Sequence, residues 1–87
     1  MKLFQLIVHL RSGGEIIGQN TDVTNLPDYA LREALTQAAD FVKQFPKMSY
    51  LSLKMDKGTA VIHPDDISFI TLRGTTDELN DLINEVM

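Results

Sequence analysis

Leu3-Phe4-Gln5-Leu6-Ile7-Val8-His9-Leu10 leads into Arg11-Ser12-Gly13-Gly14, and the chain then continues as Glu15-Ile16-Ile17-Gly18-Gln19. In the first eight residues Phe4, Leu6, Val8 and Leu10 form a wholly apolar set, alternating with the mixed set Leu3, Gln5, Ile7 and His9. This period of two is the mark of a strand with one face in the core. Ser12-Gly13-Gly14 predicts a tight turn, because two glycines accept the positive φ angles that a hairpin needs. Glu15 to Gln19 is the return strand, and Gly18 within it points to a bulge or a close backbone approach. The opening thus predicts an antiparallel hairpin. Lys2 followed by an apolar run superficially resembles a signal peptide, but Gln5 and His9 interrupt the run and no small-residue cleavage site precedes Arg11.

Working outward, Asn20 to Asn25 reads as a loop, and Leu26 to Phe45 as the main helix. Pro27 suits the first turn, and Asn25 with Asp28 is placed to cap it. Leu31, Leu35, Ala38, Val42 and Phe45 form a core-facing stripe, widened by Ala34 and Phe41. Pro46 disfavours helical geometry at Phe45 and marks the stop. Leu51, Leu53 and Met55 alternate with Tyr50, Ser52 and Lys54, which predicts another strand. Asp56-Lys57-Gly58 is a hairpin turn and Thr59 to His63 the return strand. Pro64-Asp65-Asp66 turns the chain into a last strand, Ile67 to Arg73. There Ile67 and Phe69 point one way while Ile70 and Leu72 point the other, so a central strand, or one wrapped by an element on each side, is expected. A short helix closes the chain, with Thr75 and Glu78 at capping-box spacing and Leu79, Leu82, Ile83 and Val86 as its stripe.

The element order is therefore β-β-α-β-β-β-α in one small α+β domain over residues 1–87. The expected form is an antiparallel sheet, or a partly open small barrel, packed against one long helix. Composition agrees: with 87 residues, 44% hydrophobic and 23% charged, the chain is neither a disordered tail nor a collagen-like repeat. The absence of cysteine excludes thiol catalysis, zinc ribbons and disulfide staples, and suits the cytoplasm. No run approaches the roughly twenty apolar residues of a membrane span. A domain this small has a modest core of its own, and oligomerisation is a common remedy.

The net charge of −4 is unevenly spread. Lys43, Lys47, Lys54 and Lys57 against Asp56 make the centre positive, while Asp77, Glu78, Asp81 and Glu85 make the tail strongly negative. An acidic chain approaches phosphate backbones only through a gathered basic patch. Lys43, Lys47, Lys54 and Lys57 are the candidate for one, with Tyr50 available to stack on a base. No arginine pair is present there for bidentate phosphate contacts. The same lysines equally well keep a helix end and an edge strand solvated.

Catalytic signals are sparse. His63-Pro64-Asp65-Asp66, with His9, is the densest cluster of possible metal ligands or acid–base groups, but no pair has helical ligand spacing. Asp65 or Asp66 is expected to close its turn by accepting from nearby backbone amides. Ser12-Gly13-Gly14 lacks the spacing of a phosphate loop, and no serine occupies a nucleophile elbow. No catalytic residue, metal site or cofactor is assigned.

One likeness bears on architecture. Leu10 to Gly18 is similar to the first hairpin of Sm-like small barrels, and Gly58 to Ile62 with Ile67 to Ile70 is similar to their last two strands. The likeness spans about a third of the chain on generic hairpin patterns, and a long helix sits where Sm-like chains have none. It implies RNA binding or ring assembly only at the level of architecture, and no family is assigned.

The sequence therefore predicts a non-catalytic, cytoplasmic protein that works through contact with a protein partner or with itself. Leu79, Leu82, Ile83 and Val86 either dock on the chain's own sheet or, as the interface expected here, meet another copy or a different protein, with the acidic residues beside them selecting the partner. The alternative is a nucleic-acid-binding module built on the lysines and Tyr50.

Overall fold

The computed structural model describes residues 1–87. The order is β1 (Leu3–Leu10), β2 (Glu15–Ile17), β3 (Thr21–Asp22), α1 (Asp28–Gln44), β4 (Leu51–Lys54), β5 (Thr59–Ile62), β6 (Ile67–Gly74) and α2 (Asp77–Val86). Single 3-10 turns occupy Phe45–Lys47 and Pro64–Asp66. The chain is a small α+β domain whose antiparallel sheets do not close into a barrel.

β1 lies in the middle of the larger sheet. One of its edges carries β6, and the other carries β2 and then the two-residue β3, which forms where a loop was expected. The Gly18 amide donates to Leu6 O at 2.7 Å, whereas the next amide, of Gln19, turns away and donates to Lys54 O at 2.8 Å. The edge strand thus leaves β1, touches the β4–β5 hairpin, and returns to pair Thr21 with Phe4. Gly18 permits this because a Cβ there would sit 2.9 Å from Leu6 O and 3.1 Å from Leu53 Cδ1.

On the inner face Leu6, Val8 and Leu10 of β1 oppose Leu72, Ile70 and Ile67 of β6. The register slips between His9 and Leu10, so that Ser68 is skipped and Ile67 turns inward. This corrects the expectation that Ile67 and Phe69 share a side: Ile67 is buried and Phe69 is exposed. Phe4 and Leu72 pack with Val23, Leu31, Leu35, Leu79 and Ile83, so both helices cover one half of this face. Val8, Ile67 and Ile70 pack with Val42, Leu51, Leu53 and Ile62, so the β4–β5 hairpin and the end of α1 cover the other half.

Helix α1 buries Leu31, Leu35, Ala39 and Val42, with Ala39 deeper than the expected Ala38. It begins at Asp28 because Pro27 stays extended as the cap residue, and Asn25 does not cap it. Helix α2 is capped by Thr76, whose hydroxyl accepts from Leu79 N at 3.1 Å. Thr75 is not the cap as expected, because its hydroxyl accepts from Leu3 N at 3.0 Å and donates to Met1 O at 3.2 Å. The cap moves one residue along because Thr75 continues the β6 edge against β1.

Candidate functional site

The sheet's second face has no element over it. Its rows run Gln5–Arg73, then Ile17–Ile7–Thr71, then Glu15–His9–Phe69. Ile7 is buried among its neighbours, while Phe69 is 54% and Ile17 50% exposed. The His9 ring stacks on Phe69, with centroids 4.1 Å apart and planes 16° from parallel. His9 Nε2 lies 2.8 Å from Thr71 Oγ1, and Nδ1 lies 3.5 Å from Glu15 Oε1. Contacts on three sides therefore hold the His9 ring in place, and its stack orients Phe69. The result is a preformed patch of aromatic and aliphatic side chains edged by Glu15 and Arg73.

The patch borders a free sheet edge. Thr75 N donates to Leu3 O at 2.9 Å, so main-chain groups of Arg73, Thr71 and Phe69, which lie in step with Thr75, face β1. Those of Ile70, Leu72 and Gly74 face away. At Gly74 the Asn80 side chain answers them: Gly74 N donates to Asn80 Oδ1 at 2.9 Å, and Asn80 Nδ2 donates to Gly74 O at 3.1 Å. No strand pairs with β6 on this side. This corrects the expectation of a central strand or one covered on both sides: β6 is an edge strand whose outer face leaves Phe69 exposed. At the other end the bulge at Ser68 interrupts the edge.

The residues expected at an interface fall into two groups. Leu79 and Ile83 are buried in the domain's own core, and Leu82 and Val86 are half-buried against it. Of the two dockings open to the α2 stripe, this is the one within the chain. A ten-residue helix gains its stability from tertiary packing, and the inner sheet face supplies that packing within the same chain. The acidic residues of α2 are also engaged: Glu85 accepts from Arg32 at 2.9 Å, and Glu78 lies 3.2 Å from Lys2. These are exposed pairs of small energetic weight, but they turn the charge toward α1 and the N-terminus.

The lysines fall in two pairs. Lys43 Nζ donates to Val86 O at the end of α2, at 3.2 Å, and Lys47 sits on the turn after α1. Lys54 closes β4 and Lys57 stands in the hairpin turn, so strand β4, about 10 Å of extended chain, lies between the pairs. Tyr50, 63% exposed, precedes that strand on the Lys47 side.

The His63 cluster is a structural turn. His63 Nδ1 accepts from Asp65 N at 3.2 Å, so the imidazole provides the cap expected of a carboxylate. Arg11 Nε and N donate to Asp65 O and Asp66 O at 2.8 and 2.9 Å, which pins the first hairpin to this turn. No group of three His, Cys, Asp or Glu side chains is arranged to hold a metal ion. A groove of about 410 Å³ between the helices is lined by Asp28, Arg32, Glu78, Asp81 and Leu82. With a single apolar side chain among five, it lacks the walls typical of small-molecule sites. Asp22 accepts from the Thr24 hydroxyl at 2.6 Å and from its amide at 2.9 Å, and these bonds hold its carboxyl below the usual aspartate range.

Phe69 had a readable signal, since it alternates with the core residues Ile70 and Leu72. Asn80 had none: nothing in an Asn on a short helix foretells that it closes a strand edge. No helix is long and apolar enough to cross a membrane. Comparison with protein-family models finds none that matches, and comparisons with curated proteins and with solved structures find no match either.

Proposed function

We propose that this chain is a non-catalytic accessory or regulatory protein of the cytoplasm that acts through protein–protein contact and associates with itself. One observation carries the reading: α1, α2 and the β4–β5 hairpin all pack on the inner sheet face, while Phe69 and Ile17 stand uncovered on the other. A sheet face whose exposed Phe69 is stacked on a His9 tethered to Thr71 and Glu15 binds a partner with less ordering of its own side chains. The contact surface thus moves from α2, where the sequence placed it, to the bare side of β1 and β6. Light scattering on size-separated full-length protein over a wide concentration range tests this. The expected mass rises above the monomer and falls back when Phe69 and Ile17 are both replaced by Ser. A monomer at every concentration contradicts self-association.

A further inference from the structure

The free edge of β6 has the makings of a self-complementary interface, and we infer that two copies of this chain pair antiparallel along it, with Thr71 on the two-fold axis. This rests on the self-association proposed above and adds an edge-to-edge contact, its register and its partner; Phe69 takes part in that contact, whereas Ile17, on β2 at the far edge, does not.

Three observations carry it. First, the edge is open only over a short window, bounded by the Ser68 bulge and by the Asn80 side chain on Gly74. Inside that window only Ile70 and Leu72 direct main-chain groups outward, and neither makes a side-chain or main-chain bond on that side. An antiparallel two-fold centred on Thr71 sets Ile70 against Leu72 of the second copy, so the outward N–H and C=O groups all find partners. Centres elsewhere on the strand run into the bulge or the Asn80 side chain.

Second, that register matches the exposed side chains. Phe69 and Arg73 lie two residues either side of Thr71 and project from the same bare face. Across the axis each Phe69 then stands opposite the second copy's Arg73, where a guanidinium over an aromatic face is favourable. Symmetry supplies the contact twice.

Third, the surroundings tolerate a like-charged copy. Glu78 and Glu85 of α2 are drawn to Lys2 and Arg32, away from this edge. The helix face that includes Asn80 carries Asn84 one turn on and Asp77 one turn before, leaving Asp77 as its one charge. The window also lacks proline, the residue that most directly blocks edge pairing. The contact is small beside the roughly 1,200–2,000 Å² of a stable interface, so the dimer is expected to exchange rapidly and to form at high concentration.

The test combines sedimentation equilibrium up to millimolar protein with residue-resolved amide hydrogen exchange on the wild-type chain. The expected result is a dimer in which the Ile70 and Leu72 amides gain protection as concentration rises. Phe69→Ala and Arg73→Ala each weaken dimerisation about tenfold or more, and the combined swap Phe69→Arg with Arg73→Phe restores it. A dimer whose Ile70 and Leu72 amides exchange equally fast at all concentrations overturns the edge register while leaving self-association standing. A monomer throughout overturns both. Protection of those amides only on adding an unlike extended peptide also overturns the second copy as the occupant.

Discussion

The Asn80 carboxamide bonds both the N–H and the C=O of Gly74, at 2.9 and 3.1 Å, as a neighbouring strand would. One side chain of α2 thereby ends the open edge of β6 and fastens the helix to the sheet. Gly74 allows the approach, since a Cβ there would lie 2.6 Å from Leu79 Cβ.

Asn80→Ala removes both bonds and leaves half-buried peptide groups short of partners. The expected loss is about 1–2 kcal/mol of unfolding free energy by urea titration. Unchanged stability would show that the carboxamide does not hold this edge in solution.

Gly74→Ala sets a methyl group against a helix that cannot easily shift, because Leu79 is fully buried. A loss of roughly 1–3 kcal/mol is expected. Gly18→Ala should fall in the same range, as its Cβ meets the Leu6 carbonyl and Leu53 together. Thermal denaturation of both variants checks this. Wild-type midpoints in either would refute the close approach.

Leu79→Ala and Ile83→Ala create cavities under α2 and should each cost about 2–5 kcal/mol. Leu82→Ala and Val86→Ala, at half-buried positions, should cost about 1 kcal/mol. The reverse order in denaturant titrations would return the α2 stripe to the surface.

Asp22 provides a pH signature. Its carboxyl titrates lower in the folded chain than in the unfolded one, chiefly through the Thr24 hydroxyl and then the Thr24 amide. The stability it contributes is therefore present above the unfolded value and is lost as pH falls through the folded value. Thr24→Val should move the Asp22 midpoint, followed by NMR of its carboxyl carbon, back toward the ordinary aspartate range. An identical midpoint in both proteins would contradict the hydrogen-bond origin.

Much of the fold was legible because it follows from local periodicity. Phe4, Leu6, Val8 and Leu10 alternate without exception, and Gly13 and Gly58 stand at turns with φ of 100° and 92°. What escaped depends on contacts between distant residues. The Ser68 bulge reverses the face of Ile67, and only the register against Leu10 reveals it. The cis packing of α2 was one of two open readings, since Leu79, Leu82, Ile83 and Val86 form the same stripe whether they meet this sheet or another molecule. The lysines fall in two pairs, Lys43 and Lys47 at the end of α1 and Lys54 and Lys57 beyond β4, a spacing that the sequence alone does not convey.

The central claim is that α2 completes the core while the outer side of β1 and β6 is left for a partner. A concentration series of amide NMR spectra on the full-length chain tests it most directly. Shifts are expected to grow with concentration at Phe69 to Arg73 and to spread to His9 and Ile17, with Leu79 and Ile83 unmoved. Shifts centred on Leu79 to Val86 would contradict it, as would spectra that never change.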